Sequence, residues 1–233
     1  LAFIRNADVN ERYETQVTTN VYRYNPVLYS AVFGEGNHKI GYLVLENFDL
    51  EAQDFVADII QQFKDNAITE LILDLRFNPG GAVAQSRWLS GCIAGEANGS
   101  KTFVEVEYND GKKENWTFDY GYDNDTDPLG KPTDLGLDRL FVITSYNTAS
   151  AAELVINSLK GIDFPVKMIG CNTEGKNVGM VVSEKDYNGR RFQFSPVTFW
   201  VRNAKGYGDY GFGMQPDEYV NNDNPSYADD ADN

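Results

Sequence analysis

Glu70-Leu-Ile-Leu-Asp-Leu-Arg-Phe-Asn-Pro-Gly-Gly81 decides the architecture. Its first six residues are a short apolar run of the kind found in strands buried on both faces of a parallel sheet. The run then stops in the turn Asn78-Pro-Gly-Gly81. Downstream, residues 82–93 have helical spacing. Upstream, residues 50–65 place Phe55, Ile59, Ile60 and Phe63 on a helical period, with acids near the start. Residues 40–45 read as a strand, reached through a turn at 34–37 from β-branched and aromatic residues over 16–32. The pattern resumes with a strand at 140–144, a small-residue loop at 145–149, a helix at 151–160 and a strand at 166–169. Further strands are expected at 178–182, 192–195 and 198–201. Strands alternating with helices predict one α/β unit.

The expected organisation is an N-terminal strand segment over 1–37, a core over 38–220 and an acidic, loose tail over 221–233. Residues 95–136 are polar and read as an insertion or a hairpin with a long loop within the core, with strand-like islands at 103–108 and 116–120. The chain begins at Leu1 without Met or a leader pattern, as expected of a processed or excised piece.

Composition excludes several functions. The 233 residues carry 20 Lys+Arg against 35 Asp+Glu, a net charge of −15, which argues against nucleic acid or an anionic membrane as main partner. No apolar run approaches the ~20 residues of a membrane-spanning helix, so no transmembrane segment is expected. One histidine, His38, rules out a multi-histidine zinc centre, and neither a metal nor any other cofactor is expected. Cys92 and Cys171 are too few for a disulfide scaffold and are expected as buried free thiols.

The chemistry lies in Ser145-Tyr-Asn-Thr-Ala-Ser-Ala-Ala-Glu153, between a buried strand and a helix. A serine there sits beside unpaired N–H groups at the positive end of a helix, where an oxyanion would be stabilised. Ser150 with Glu153 three residues on also fits a capping box, so both readings stand at this level. The serine needs a base. His38 lies in a turn-like sequence, whereas Lys176 lies in Asn172-Thr-Glu-Gly-Lys-Asn-Val-Gly179, where the chain enters the core. A desolvated lysine can serve as base because burial lowers its pKa.

Four blocks together resemble the carboxyl-terminal processing (tail-specific) proteases, peptidase family S41. They are Leu73-Asp-Leu-Arg-Phe-Asn-Pro-Gly-Gly81, Thr148-Ala-Ser-Ala-Ala-Glu153, Gly170 with Thr173-Glu-Gly-Lys176, and Gly213-Met-Gln-Pro-Asp217. They keep the family's order and cover about residues 40–220. The resemblance implies a ClpP/crotonase-like α/β core of stacked β–β–α units with additional strands. It also implies a serine endopeptidase acting through an acyl-enzyme, with Ser150 as nucleophile and Lys176 as general base. Backbone N–H groups of Gly80, Gly81 and Ala151 would form the oxyanion hole, with Glu153 and Thr173 in support. Substrates would be proteins or peptides, bound as an added strand; a PDZ or other domain would belong to a longer parent chain. The location implied is exported, periplasmic or cell envelope.

The sequence departs from the family pattern at Met180, where many members have glutamine, and at Asn177, where glycine is usual. Gln193 is the candidate substitute for that glutamine. Loss of the glutamine favours the alternative, a catalytically silent peptide- or ligand-binding relative. Tyr207, Tyr210 and Phe212 are candidates to line a peptide groove. Asp123-Asn-Asp-Thr-Asp127 has a calcium-loop alternation but Pro128 where glycine is needed, and reads as a solvated acidic loop. Sequons begin at Asn98, Asn115 and Asn124.

Overall fold

The computed structural model describes residues 2–4, 12–14, 23–118 and 129–220. The start of the expected 16–32 strand, the Asp123–Asp127 loop, the Asn124 sequon and the acidic tail lie outside the described residues. In chain order the elements are β1 (Ala2–Ile4), β2 (Arg12–Glu14), β3 (Val27–Glu35), β4 (His38–Leu45), α1 (Gln53–Asp65), β5 (Glu70–Asp74) and α2 (Val83–Ala94). Then come β6 (Thr102–Tyr108), β7 (Lys113–Thr117), β8 (Arg139–Thr144), α3 (Ala151–Gly161), β9 (Val166–Gly170) and β10 (Val178–Met180). The chain continues through β11 (Ser183–Tyr187), β12 (Arg190–Phe194), β13 (Val197–Arg202) and β14 (Glu218–Tyr219).

Six strands form the main sheet in the order β14-β9-β8-β5-β4-β3, parallel throughout except for the β3–β4 hairpin. Residues 70–74 are a central strand, as their unbroken apolar run requires. Register aligns Leu43, Leu71, Leu140 and Met168, or their neighbours two residues on, along one face, and these side chains are wholly buried. Helix α1 packs there through Val56, Ile60 and Phe63; a Cβ added at Gly41 would meet Phe63 at 3.2 Å and Ile68 at 2.8 Å. Burying one Leu or Phe contributes roughly 1.5–3 kcal/mol, so this row carries much of the core.

A second sheet, β10-β13-β6-β7, takes in the strand-like islands of residues 95–136 as the antiparallel β6–β7 pair, the hairpin alternative of the sequence reading. Strand β6 pairs with β13 (Tyr108 opposite Phe199), and Phe103, Val104, Val106 and Phe118 join the core. Alternation hid this, because Glu105 and Glu107 face outward to Arg202 and Lys113. The second island also shifts, from 116–120 to Lys113–Thr117. Strands β11 and β14 had no clear sequence signal. Cys92 is a buried free thiol as expected, but Cys171 is only half-buried.

Candidate active site

Strands β5, β8 and β9 are successive parallel neighbours, so the loops after their C-terminal ends emerge side by side. That is where open α/β sheets bind ligands. The first loop carries Gly80 and Gly81, the second Ser150, the third Lys176. Hydrogen bonds tie them together. Thr148 Oγ1 donates to Leu75 O (2.7 Å), Ala149 N to Asn78 O (3.1 Å) and Glu174 N to Thr148 O (3.0 Å).

The glycine turn has no room for side chains. Gly80 has φ 107°, and a Cβ there would lie 2.7 Å from Ser150 Cβ and 3.0 Å from Ala151 N. Gly81, at φ 129°, packs its Cα face against the Phe48 carbonyl. Ser150 is held at φ 55°, ψ −116°, a conformation that costs a non-glycine residue about 1–3 kcal/mol and so depends on its surroundings.

Glu153 supplies much of that support. Wholly buried, it accepts four hydrogen bonds: Thr173 Oγ1 (2.6 Å) and Gly175 N (2.8 Å) at Oε1, Ser150 N (2.8 Å) and Lys176 N (2.8 Å) at Oε2. One carboxylate oxygen thus joins the backbone of the serine to that of the lysine. The bond from Ser150 N to Glu153 is the glutamate half of the capping box read from sequence, at the head of α3. Burial, the largest influence, lifts the Glu153 carboxyl above its ordinary value although all four hydrogen bonds pull it down. Thr173 Oγ1 in turn accepts from Met214 N (2.7 Å), which docks the Gly213–Asp217 block against the lysine loop. Asn177 anchors that loop from the other side, donating to Gly208 O (2.6 Å).

Ser150 and half-buried Lys176 line one cavity of about 230 Å³. Its walls include Val83, Leu154, Val178, Met180, Phe199 and Val201, and are mainly apolar. Gly81 and Ala151 also line it, and their N–H groups have no hydrogen-bond partner among the described residues. Gly80 differs from the sequence expectation: its N–H donates to Asn78 Oδ1 (2.9 Å) and is not free for an oxyanion. Met180 sits in the cavity wall where the family glutamine was expected, while Gln193 is exposed on β12 and absent from the lining. His38 is exposed at the start of β4, opposite Glu35, and takes no part. Tyr210 is core, its hydroxyl unpartnered among the described residues; neither it, Tyr207 nor Phe212 lines the cavity. Sequence offered Glu153 as a helix cap and, through the family resemblance, as a support of the site; its acceptance of four hydrogen bonds comes from the fold. No cluster of metal-ligating side chains occurs among the described residues.

A family model described as peptidase family S41 matches residues 39–220. The carboxy-terminal processing protease CtpA of Bacillus subtilis is 28% identical over 192 residues, 82% of this chain and 37% of its own length. A solved S41 protease from Bacteroides fragilis superposes with a TM-score of 0.72 at 26% identity, over 88% of this chain and 53% of that one. The photosystem II D1 C-terminal processing protease shares the fold at 17% identity (TM-score 0.63), over 92% of this chain and 53% of its own. The chain thus spans roughly a third to a half of the length of these relatives.

Proposed function

This chain belongs to peptidase family S41, and from that premise we propose that it is a serine endopeptidase using a Ser150–Lys176 dyad. The supporting observation is the shared Glu153 oxygen, which holds Ser150 N and Lys176 N at 2.8 Å each while both residues line one cavity. Lys176 takes the Ser150 proton as Oγ attacks the scissile carbonyl, and the tetrahedral oxyanion is received by the N–H groups of Gly81 and Ala151. Lys176 then passes the proton to the leaving amine. Water, deprotonated by the same lysine, releases the acyl group. Glu153 and Thr173 position both partners without touching substrate.

The apolar walls suit a small to medium apolar side chain on the acyl side of the cleaved bond. Strand β10 edges its sheet beside the cavity, so an extended peptide can add to it by main-chain hydrogen bonds. Treatment with a fluorophosphonate should place an adduct on Ser150, located by mass spectrometry, and Lys176→Ala should abolish it. An unlabelled wild-type chain that still binds peptide would support instead the silent binding relative, which the apolar Met180 at the expected glutamine position favours. Envelope or periplasmic residence belongs to the same proposal and is read by cell fractionation.

Gly179 sets the pocket's depth. The Phe199 ring occupies the space a Cβ would take there, and Phe199 is itself a wall. Gly179→Ala should push the ring into the cavity. Cleavage after Leu or Phe should then fall about 10-fold or more relative to cleavage after Ala, on the scale of methylene discrimination in apolar pockets. Equal kcat/KM ratios in the two proteins would place the acyl-side residue elsewhere.

A further inference from the structure

We propose that the β11–β12 hairpin is a second substrate-holding site, binding an extended polypeptide segment that presents apolar side chains and carboxylates on one and the same face. This deepens the peptidase reading and rests on it. Among the described residues the two strands pair only with each other, and every residue in them is exposed. The turn Asn188-Gly189, with φ 50° and 75°, has the left-handed pair that matches strand twist in a two-residue loop.

Register divides the hairpin into two unlike faces. Ser183 lies opposite Phe194, Lys185 opposite Phe192 and Tyr187 opposite Arg190, so these six share one face; Glu184, Asp186, Arg191 and Gln193 share the other. The second face is satisfied by its own charges, Arg191 lying 3.3 Å from Asp186 and 3.7 Å from Glu184. The first face is not. Tyr187, Phe192 and Phe194 are 65%, 44% and 55% exposed and, with Lys185, line a shallow apolar cleft. Lys185 and Arg190 have no acidic partner among the described residues, in a chain whose net charge is −15.

Place and charge name the occupant. Val182, just before β11, and Ser195, just after β12, line the Ser150 cavity, so the hairpin rises from the rim of the cleft where the chain is cut. An extended substrate leaving that cleft can continue along a free hairpin edge as a third strand. Three strands are what an isolated hairpin lacks for stability in water. Side chains two residues apart along such a strand share a face, so apolar groups and carboxylates set at every second position meet the aromatic rings and Lys185 and Arg190 together. A second copy of the hairpin is the poorer occupant, because it would set these cations against themselves.

The test uses two synthetic peptides with one cleavable apolar core, extended by a segment with Ser at every second position and, between the serines, Leu in turn with Asp or Leu in turn with Lys. Binding is read by fluorescence anisotropy on full-length Ser150→Ala protein. The Asp peptide should bind at least about 10-fold more tightly. Joint replacement of Tyr187, Phe192 and Phe194 by Ser should erase the difference, and Lys185→Glu with Arg190→Glu should reverse it. In the Ser150 protein those changes should raise KM for the Asp peptide and leave kcat, and cleavage of the unextended core, unchanged. Equal binding of both peptides, or hairpin variants without effect, overturns the proposal. So does hairpin-dependent sedimentation with anionic vesicles without any peptide preference. Preferential binding with no cleavage by the Ser150 protein would sink the peptidase reading and leave the hairpin site standing. Cleavage without preference would do the opposite. Thermal unfolding of the variants controls for folding, since all the altered side chains are exposed.

Discussion

Exchanging Ser150 for alanine should lower kcat for peptide cleavage about 10⁴-fold or more and leave thermal unfolding nearly unchanged. The change removes one oxygen from a half-buried side chain; alanine meets the same backbone strain at φ 55°, and the Glu153 bond to the 150 N–H remains. Lys176→Ala should cause a loss of similar size, because a neutral serine hydroxyl is a poor nucleophile without a base. The double variant should be no worse than either single one, since nucleophile and base act as a unit. Progress curves on a core peptide, with products identified by mass spectrometry, provide the check. Residual activity within about 10-fold of wild type in Ser150→Ala would remove Ser150 as nucleophile.

Replacing Glu153 should cost both stability and activity. In Glu153→Ala, three backbone N–H groups and the Thr173 hydroxyl lose their acceptor in a buried site. At about 1–3 kcal/mol per unsatisfied donor, without full additivity, the loss should reach at least about 3 kcal/mol in urea unfolding. Glu153→Gln is the gentler probe: it keeps the volume but turns an amide group toward donors, so cleavage should fall while the fold persists. Its pH behaviour also differs. Because burial raises the wild-type carboxyl, the folded state binds that proton more readily than the unfolded state. This contribution to stability is fully present below the ordinary glutamate pKa and is lost as pH rises through the raised value. The glutamine variant has no such step. Urea midpoints measured between those pH values should therefore slope more steeply downward in the wild type. Parallel slopes would mean that the carboxyl titrates normally, and a fully active Glu153→Ala would show that the shared oxygen does not organise the site.

Much of the architecture was legible because it is local. The apolar run at 70–75, the period of 50–65 and the small-residue loop before α3 each carry their meaning within a dozen residues, and each element formed close to its expected bounds. The places where the reading failed are non-local. Strand β6, read as a strand-like island, carries Glu105 and Glu107 among its seven residues, and only its pairing with β13, some ninety residues away, turns Phe103, Val104 and Val106 into core. Strand β11, Ser183-Glu-Lys-Asp-Tyr187, is nearly all polar and exists because β12 and the Asn188-Gly189 turn complete it. Tyr210 stood in a glycine-rich loop that looked exposed, yet that loop folds over Gly175, within van der Waals reach of its backbone.

The same division holds at the candidate site. Sequence alone determined the kinds of group available: one serine at a helix mouth, one lysine where the chain enters the core, paired glycines after a buried strand, and a single histidine in a turn-like stretch. Residue identity and spacing fix those, because turn chemistry and helix capping act over a few residues. Tertiary structure decided which groups meet. It brought the β5, β8 and β9 loops together by making those strands neighbours, aimed one Glu153 oxygen at both Ser150 and Lys176, and spent the Gly80 N–H on Asn78. A hydrogen bond between loops some twenty to seventy residues apart depends on strand order and packing, and neither leaves a periodic trace in the chain.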